Sequence, residues 1–233
     1  MTDHIPSGTA HEHDGHLRVT YNDVHMTIGK TAQKIKSEFN PDLFIAIGGG
    51  GFFPARVLRT FLKQGAPGEK KRNIPIQAIG LSLYELLDLQ EVGAFDGSSG
   101  LAQAEKLGKE VVRTQWLDFS TLGNQPLLGR KILIVDEVDD SRTTLSYAVQ
   151  ELRKDIDAQL AALSDEKKAE FAETQLAIFV VHNKLKEKRG TLPEGVQYFA
   201  GEDIEDRWVD YPWEQQDILL HEQVAAKQKA LGL

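Results

Sequence analysis

The sequence has no cysteine and only two methionines. Without cysteine there can be no disulfide and no thiolate metal site, which fits a reducing compartment. A basic surplus is missing too: 27 lysines and arginines stand against 35 aspartates and glutamates, a formal net charge of -8. Such a balance offers no excess cations to displace counterions, so neither nucleic acid nor an anionic membrane is expected as a partner. No apolar run approaches the roughly 20 residues of a membrane-spanning helix, and the N-terminus shows no basic-then-apolar leader. A soluble, cytoplasmic protein is expected. The 233 residues suit one domain with a substantial core rather than two.

Met1 to Leu17 combine Gly, Ser, Thr and Asp with four of the seven histidines and little to bury, so 1–17 reads as a disordered leader and 18–233 as a single domain. His11, His13 and His16 lack the supporting shell a metal site needs. Beyond them Val24, Ile28, Ala32, Ile35 and Phe39 recur at helical spacing behind an Asn22/Asp23 cap, and Asn40-Pro41 ends that helix. Leu43 to Ile47 is continuously apolar, as in a strand covered on both faces, and Pro54 suits the first turn of a helix through Val57, Leu58, Phe61 and Leu62. Further strands are read at Ile76 to Leu81, Val111 to Leu117 and Ile132 to Val135, with a last one at Leu176 to Val181. Leu145, Val149, Leu152, Ile156, Leu160 and Leu163 mark another helix, and a final one begins near Asp217. The Gly-, Ser- and Asp-rich excursion from Val92 to Gly108 has the length of a lid or a disordered loop. Strands alternating with helices predict an α/β fold, an open, mostly parallel twisted sheet flanked by helices, with ligands beyond the strand carboxyl ends.

Two stretches carry chemistry. Asp136, Glu137, Asp139 and Asp140 follow a buried strand, and Ser141, Thr143 and Thr144 open the next helix. One acid there is ordinarily a solvated turn or a cap. A cluster of acids repels itself and calls for a cation or a donor-rich ligand, while free amides at the helix start favour an anion. A hydrolase Asp-x-Asp fails at Val138, and a calcium loop fails at Ser141, where its turn glycine belongs. Gly48, Gly49, Gly50 and Gly51 form the second stretch. A dinucleotide fingerprint fails at Phe53 and a P-loop lacks its Gly-Lys-Ser/Thr, leaving either a tight turn or amides that approach a phosphate.

Taken together, the residues resemble a known family. Val135-Asp-Glu-Val-Asp-Asp-Ser-Arg-Thr-Thr144 is similar to the phosphoribosyl-pyrophosphate (PRPP) signature of type I phosphoribosyltransferases. Ile45-Ala-Ile-Gly-Gly-Gly-Gly51, Ile74-Pro-Ile-Gln-Ala-Ile-Gly-Leu-Ser-Leu-Tyr84, Val112-Arg-Thr-Gln-Trp-Leu-Asp-Phe119 and Tyr211-Pro-Trp213 resemble the fungal xanthine and hypoxanthine-guanine members, and the likeness spans roughly 21–221.

The resemblance implies transfer of ribose 5-phosphate from PRPP to a 6-oxopurine, with xanthine somewhat ahead of hypoxanthine and guanine, release of pyrophosphate, a magnesium (Mg2+) cofactor and a homodimer. It implies that Asp136 and Glu137 hold the ribose hydroxyls and the magnesium shell, with Glu214 ordering a second magnesium through water. Ser141, Arg142, Thr143 and Thr144 then belong to the 5′-phosphate, and Gly48 to Gly51 to the pyrophosphate, often across a non-proline cis peptide. Asp140 is implied to exchange a proton with the purine imidazole, Trp208 to stack on the base, Val209 to offer backbone contacts, and Lys184, or alternatively Lys186, to reach the 6-oxo oxygen. A lid is implied over about 84–113 and a hood over about 184–233.

Two departures stand out. Arg142 occupies a position commonly glycine, and the glycine loop has no basic residue, for which Arg56 or Arg113 is the candidate substitute. Two rivals remain: a non-catalytic PRPP or nucleotide sensor on the same fold, and a magnesium-dependent sugar-phosphate hydrolase.

Overall fold

The computed structural model describes residues 14–63, 73–83, 111–117 and 127–232. Strands β2 (Leu43–Ile47), β3 (Ile76–Leu83), β4 (Val111–Gln115), β5 (Lys131–Asp139), β6 (Gln175–Lys184) and β7 (Gln197–Ile204) form one sheet in the order β4-β3-β2-β5-β6-β7. All neighbours run parallel except β3 and β4. The pleat sends alternate residues to opposite faces. Phe44, Ala46, Leu133, Val135, Phe179 and Val181 therefore pack with α1 (Tyr21–Glu38) and α2 (Phe52–Leu62). Leu43, Ile45, Ile132, Ile134, Ile178 and Val180 pack with α3 (Thr143–Ala161). Because β2 has helices on both sides, all five of its residues are buried, as its unbroken apolar run predicts.

Several boundaries differ from expectation. The first helix is capped by Thr20, whose hydroxyl accepts from the Asp23 amide while the Asp23 carboxylate accepts from the Thr20 amide, so Asp23 is the second half of a capping box. The leader does not stay unstructured to Leu17: β1 (His16–Arg18) pairs in parallel with β8 (Trp208–Asp210). Residues 1–13, and nearly all of the expected lid, lie outside the described residues, which resume at β4. Val181 does not end the last strand, since β6 runs to Lys184 and β7 and β8 follow it. A short helix α4 (Asp165–Lys168) precedes β6, and α5 (Ile218–Ala230) closes the chain behind an Asp217 side chain that accepts from the Leu220 amide. Among the described residues no helix is long and apolar enough to cross a membrane.

His182 on β6 lies 3% exposed beside Tyr211, its Nδ1 2.8 Å from the phenol oxygen. Burial lowers its pKa to about 4, against the opposing pull of the Glu202 and Asp23 carboxylates. The unfolded chain thus takes up a proton that the fold refuses. Stability from this group is complete above about pH 6.5 and declines as the pH falls towards 4, by on the order of 3 kcal/mol. Urea titrations of His182→Gln should show that part of the decline flattened; an unchanged pH profile would contradict a buried neutral imidazole.

Candidate active site

Strand β5 does not stop before the acids. It continues through Asp136, Glu137 and Asp139, with Asp136 opposite Val180, Val138 opposite His182 and Asp139 opposite Asn183 on β6. The acids are consequently part of the pleat and point to alternate sides, rather than forming one loose turn. Together with Ile47, Gly48, Gly50 and Leu81 they line a cleft of about 250 Å³ that extends to Leu145.

Glu137 is held through both its carboxylate and its backbone carbonyl. Its Oε2 accepts from the Trp213 indole at 2.8 Å, and its carbonyl accepts from the Tyr211 hydroxyl at 3.1 Å. Trp213 is sandwiched between Phe53 and Tyr211, with ring centroids 5.2 and 4.7 Å away and planes within 12° of parallel. The Tyr211-Pro-Trp213 segment, to which sequence reasoning gave no role, thereby ties the start of α2 to the acid strand. On the opposite side, a Cβ on Gly50 would lie 2.0 Å from Glu137 Cδ, so the absent side chain makes room for this carboxylate. Gly49 takes a positive φ of 85°. The peptide bonds of the described residues are all trans.

Asp140 sits between cations. Lys184 Nζ is 3.2 Å from Oδ2 and Lys186 Nζ 2.7 Å from Oδ1, while both lysines also approach Asp206, at 3.9 and 3.1 Å. Both candidate lysines therefore converge on the same acid. Partial burial pushes the Asp140 pKa up, but the hydrogen bonds and charges of Lys186 and Lys184 outweigh it and leave the carboxyl below its ordinary value. Lys184 Nζ also lies 5.9 Å from the centre of the Trp208 ring, which is 65% exposed. Val209 is buried within the β1–β8 pair, opposite Leu17. His16 joins this corner through Asp210, Nδ1 to Oδ2 2.9 Å.

Ser141 donates to the Thr143 hydroxyl at 3.0 Å, and Arg142 precedes α3 in the left-handed region without a side-chain cap. The first residues of this 19-residue helix line the cleft, and the Thr143 amide donates to Ser141 Oγ at 3.4 Å. The Arg142 guanidinium turns away from that role and is bound to Asp139. Arg113 is engaged by Glu151 at 3.3 Å and Arg56 donates to Thr60, so each proposed substitute for a basic loop residue has another partner.

The chain is 50% identical over 214 residues to the hypoxanthine-guanine phosphoribosyltransferase of Schizosaccharomyces pombe, covering 91% of this chain and 95% of that protein. The chain belongs to the fungal hypoxanthine-guanine and xanthine phosphoribosyltransferases. Xanthine phosphoribosyltransferase 1 of Saccharomyces cerevisiae is 46% identical over 219 residues, 91% of this chain and 96% of that one. Among solved structures, a hypothetical protein from Neisseria gonorrhoeae with bound ppGpp superposes with a TM-score of 0.65 at 33% identity, covering 91% of this chain and 96% of that one. No family model matches the chain.

In this phosphoribosyltransferase the acids also differ electrostatically. Burial, with the charges of Glu137 and Asp139 adding to it, raises Asp136 to about 8 against the pull of the Glu137 amide. Burial followed by the charge of Glu214 raises Glu137 to about 7, opposed by the Trp213 hydrogen bond. Glu214 is itself raised, by burial and then by Asp210 against a backbone hydrogen bond. Among the described residues no three His, Asp or Glu side chains form a metal-holding group.

Proposed function

We propose that the enzyme serves purine salvage, converting a 6-oxopurine and PRPP to the nucleoside 5′-monophosphate and pyrophosphate. The observation that carries this reading is the meeting of the acid strand, the helix start and the Trp208/Lys184/Asp140 corner at one end of the sheet. The named activities of the two yeast relatives support it, and the ppGpp in the Neisseria protein is itself a guanine nucleotide.

In this reading the Ser141, Thr143 and Thr144 hydroxyls and neighbouring amides hold the 5′-phosphate, where the helix start favours negative charge. Gly48 to Gly51 meet the pyrophosphate through backbone amides. Trp208 stacks on the purine, the Val209 backbone meets its edge, and Lys184 or Lys186 reaches the 6-oxo oxygen when a base enters. A purine imidazole nitrogen attacks C1′ as the bond from C1′ to the pyrophosphate oxygen breaks, its electron pair leaving with pyrophosphate. Asp140, held as a carboxylate, takes the proton that this nitrogen loses. The negative charge of Asp136 and Glu137 suits the sugar cation that develops.

The same two acids fit magnesium. They are oxygen donors whose pKa values are raised by burial and by neighbouring acids, as expected of carboxylates that a cation would steady, and magnesium ordinarily takes one or two carboxylates with substrate phosphates and water. Glu214, whose charge reaches Glu137, is the candidate for a water-bridged second ion. A magnesium ion bound there would shield pyrophosphate charge and hold the ribose hydroxyls in place.

Incubation with magnesium, PRPP and each of xanthine, hypoxanthine, guanine and adenine tests the reading by chromatography. Nucleotide and pyrophosphate are expected from 6-oxo bases and not from adenine, and xanthine is expected to lead. Turnover with no base would leave the nucleotide-sensing alternative, and phosphate release without a purine would favour hydrolysis. The exposed Trp208 ring and the Asp140 lysines speak for a base-using enzyme.

A further inference from the structure

Arg142 has φ 64° and ψ 3°, a left-handed conformation that side chains other than glycine's disfavour. Its own side chain supplies the compensation. Nε and Nη2 reach Oδ2 of Asp139 at 2.8 and 2.7 Å, and the guanidinium carbon lies 4.8 Å from the centre of the Tyr198 ring. Tyr198 donates its hydroxyl to the same carboxylate oxygen at 2.7 Å. Asp139 is 1% exposed, so this is a carboxylate enclosed with its partners.

The segment after β6 grips the turn as well. Lys188 Nζ donates to the carbonyls of Asp139 and Asp140 at 2.7 and 2.9 Å and stands 3.5 Å from Asp139 Oδ1. The amides of Arg189 and Gly190 donate to the Ser141 carbonyl at 3.0 and 3.1 Å. A Cβ on Gly190 would lie 2.3 Å from the Arg142 carbonyl oxygen, so the two backbones are in contact.

We propose that Asp139, Arg142 and Tyr198 form a lock that presets the 141–144 turn for the phosphomonoester of PRPP. They are positioning residues: they act through the Ser141, Thr143 and Thr144 hydroxyls and amides, and the guanidinium is neutralised by Asp139 instead of being offered to the phosphate. The inference rests on the proposed PRPP reading. It also accounts for Asp139 and Arg142 together: without Arg142 the buried Asp139 would keep only the Tyr198 hydroxyl and Lys188, 3.5 Å away, and without Asp139 the Arg142 side chain would lose the ion pair that holds it over its left-handed backbone.

The test is a cycle of Asp139→Val, Arg142→Gly and the double variant, with Tyr198→Phe as a milder probe. Glycine adopts the left-handed turn without strain and valine removes the carboxylate, so the double variant restores compatibility by another route. Each single variant should raise the KM for PRPP about tenfold or more while kcat and the KM for the purine change less than about threefold. The double variant should return the PRPP KM to within about threefold of the parent protein, and Tyr198→Phe should raise it about threefold. Losses that simply multiply in the double variant, or a lower melting temperature with unchanged PRPP KM, would overturn the lock. Should Asp139→Val fail to fold, Tyr198→Phe and Arg142→Gly decide by the same PRPP readout. An unmodified protein that does not use PRPP would remove the proposed function and the lock together, whereas one that uses PRPP alongside unaffected variants would remove the lock alone.

Discussion

Replacing Asp140 by asparagine is expected to lower kcat by roughly 100- to 10,000-fold, the usual range for loss of a positioned acid or base, with the KM for PRPP almost unchanged. Asparagine keeps the side chain's shape and can still accept a hydrogen bond, but it cannot carry the proton. Asp140 is also the shared partner of Lys184 and Lys186. Lys184 is only 7% exposed, and its other acid, Asp206, stands 3.9 Å away. Alanine would therefore leave a poorly paired ammonium and disturb the base corner as well as the chemistry. The two variants separate these effects: asparagine should reduce kcat selectively, whereas alanine should also raise the KM for the purine. Steady-state kinetics with PRPP and purine varied in turn read both. If PRPP binding falls as far as turnover in the asparagine variant, Asp140 holds the site together rather than moving a proton.

Gly50→Ala is expected to raise the KM for PRPP on the order of 10- to 100-fold, in keeping with what a misplacement of about 1 Å costs a preorganised site. The added methyl would meet Glu137 Cδ at 2.0 Å and Oε1 at 2.3 Å. Glu137 cannot keep its place, because Trp213 fixes Oε2 from the other direction and Trp213 is itself held between Phe53 and Tyr211. The obstruction is a side chain, so the fold should survive with a melting temperature close to that of the parent protein. Gly51→Ala provides the contrast. Its methyl would lie 2.3 Å from the Val135 carbonyl oxygen and 2.7 Å from that of Ile47, both backbone atoms of central strands. That variant should lose stability before it loses affinity. Melting curves together with PRPP titrations at fixed magnesium distinguish the outcomes, and a Gly50→Ala protein with unaltered PRPP KM would mean that Glu137 is free to move.

The continuous apolar runs of β2, β5 and β6 made a covered parallel sheet legible in the sequence, because burial on both faces leaves no polar alternation. β7 and β1 were not legible. The exposed positions of β7 interrupt any apolar run, and the three residues of β1 form a strand only because β8 lies beside them. The same distinction runs through the site. Residue type and spacing marked Asp136, Glu137, Asp139 and Asp140 and the glycines as two separate stretches, which the family resemblance joined, while Tyr198, Lys188 and Asp206 lie far from them in sequence and carry no local signal.

By itself, then, the sequence determined the sheet's core strands, the acids at the end of β5, the hydroxyl-rich start of α3 and the family to which they point. These are local patterns, in which the side-chain period and neighbouring residue types suffice. Only the tertiary structure decided how the acids divide: Glu137 against Trp213 and Gly50, Asp139 against Arg142 and Tyr198, and Asp140 against Lys184 and Lys186. Trp213, Tyr198 and Lys186 come from segments that follow β6 and Lys184 is its last residue, and a carboxylate's charge and orientation depend on what surrounds it in space rather than on its neighbours along the chain.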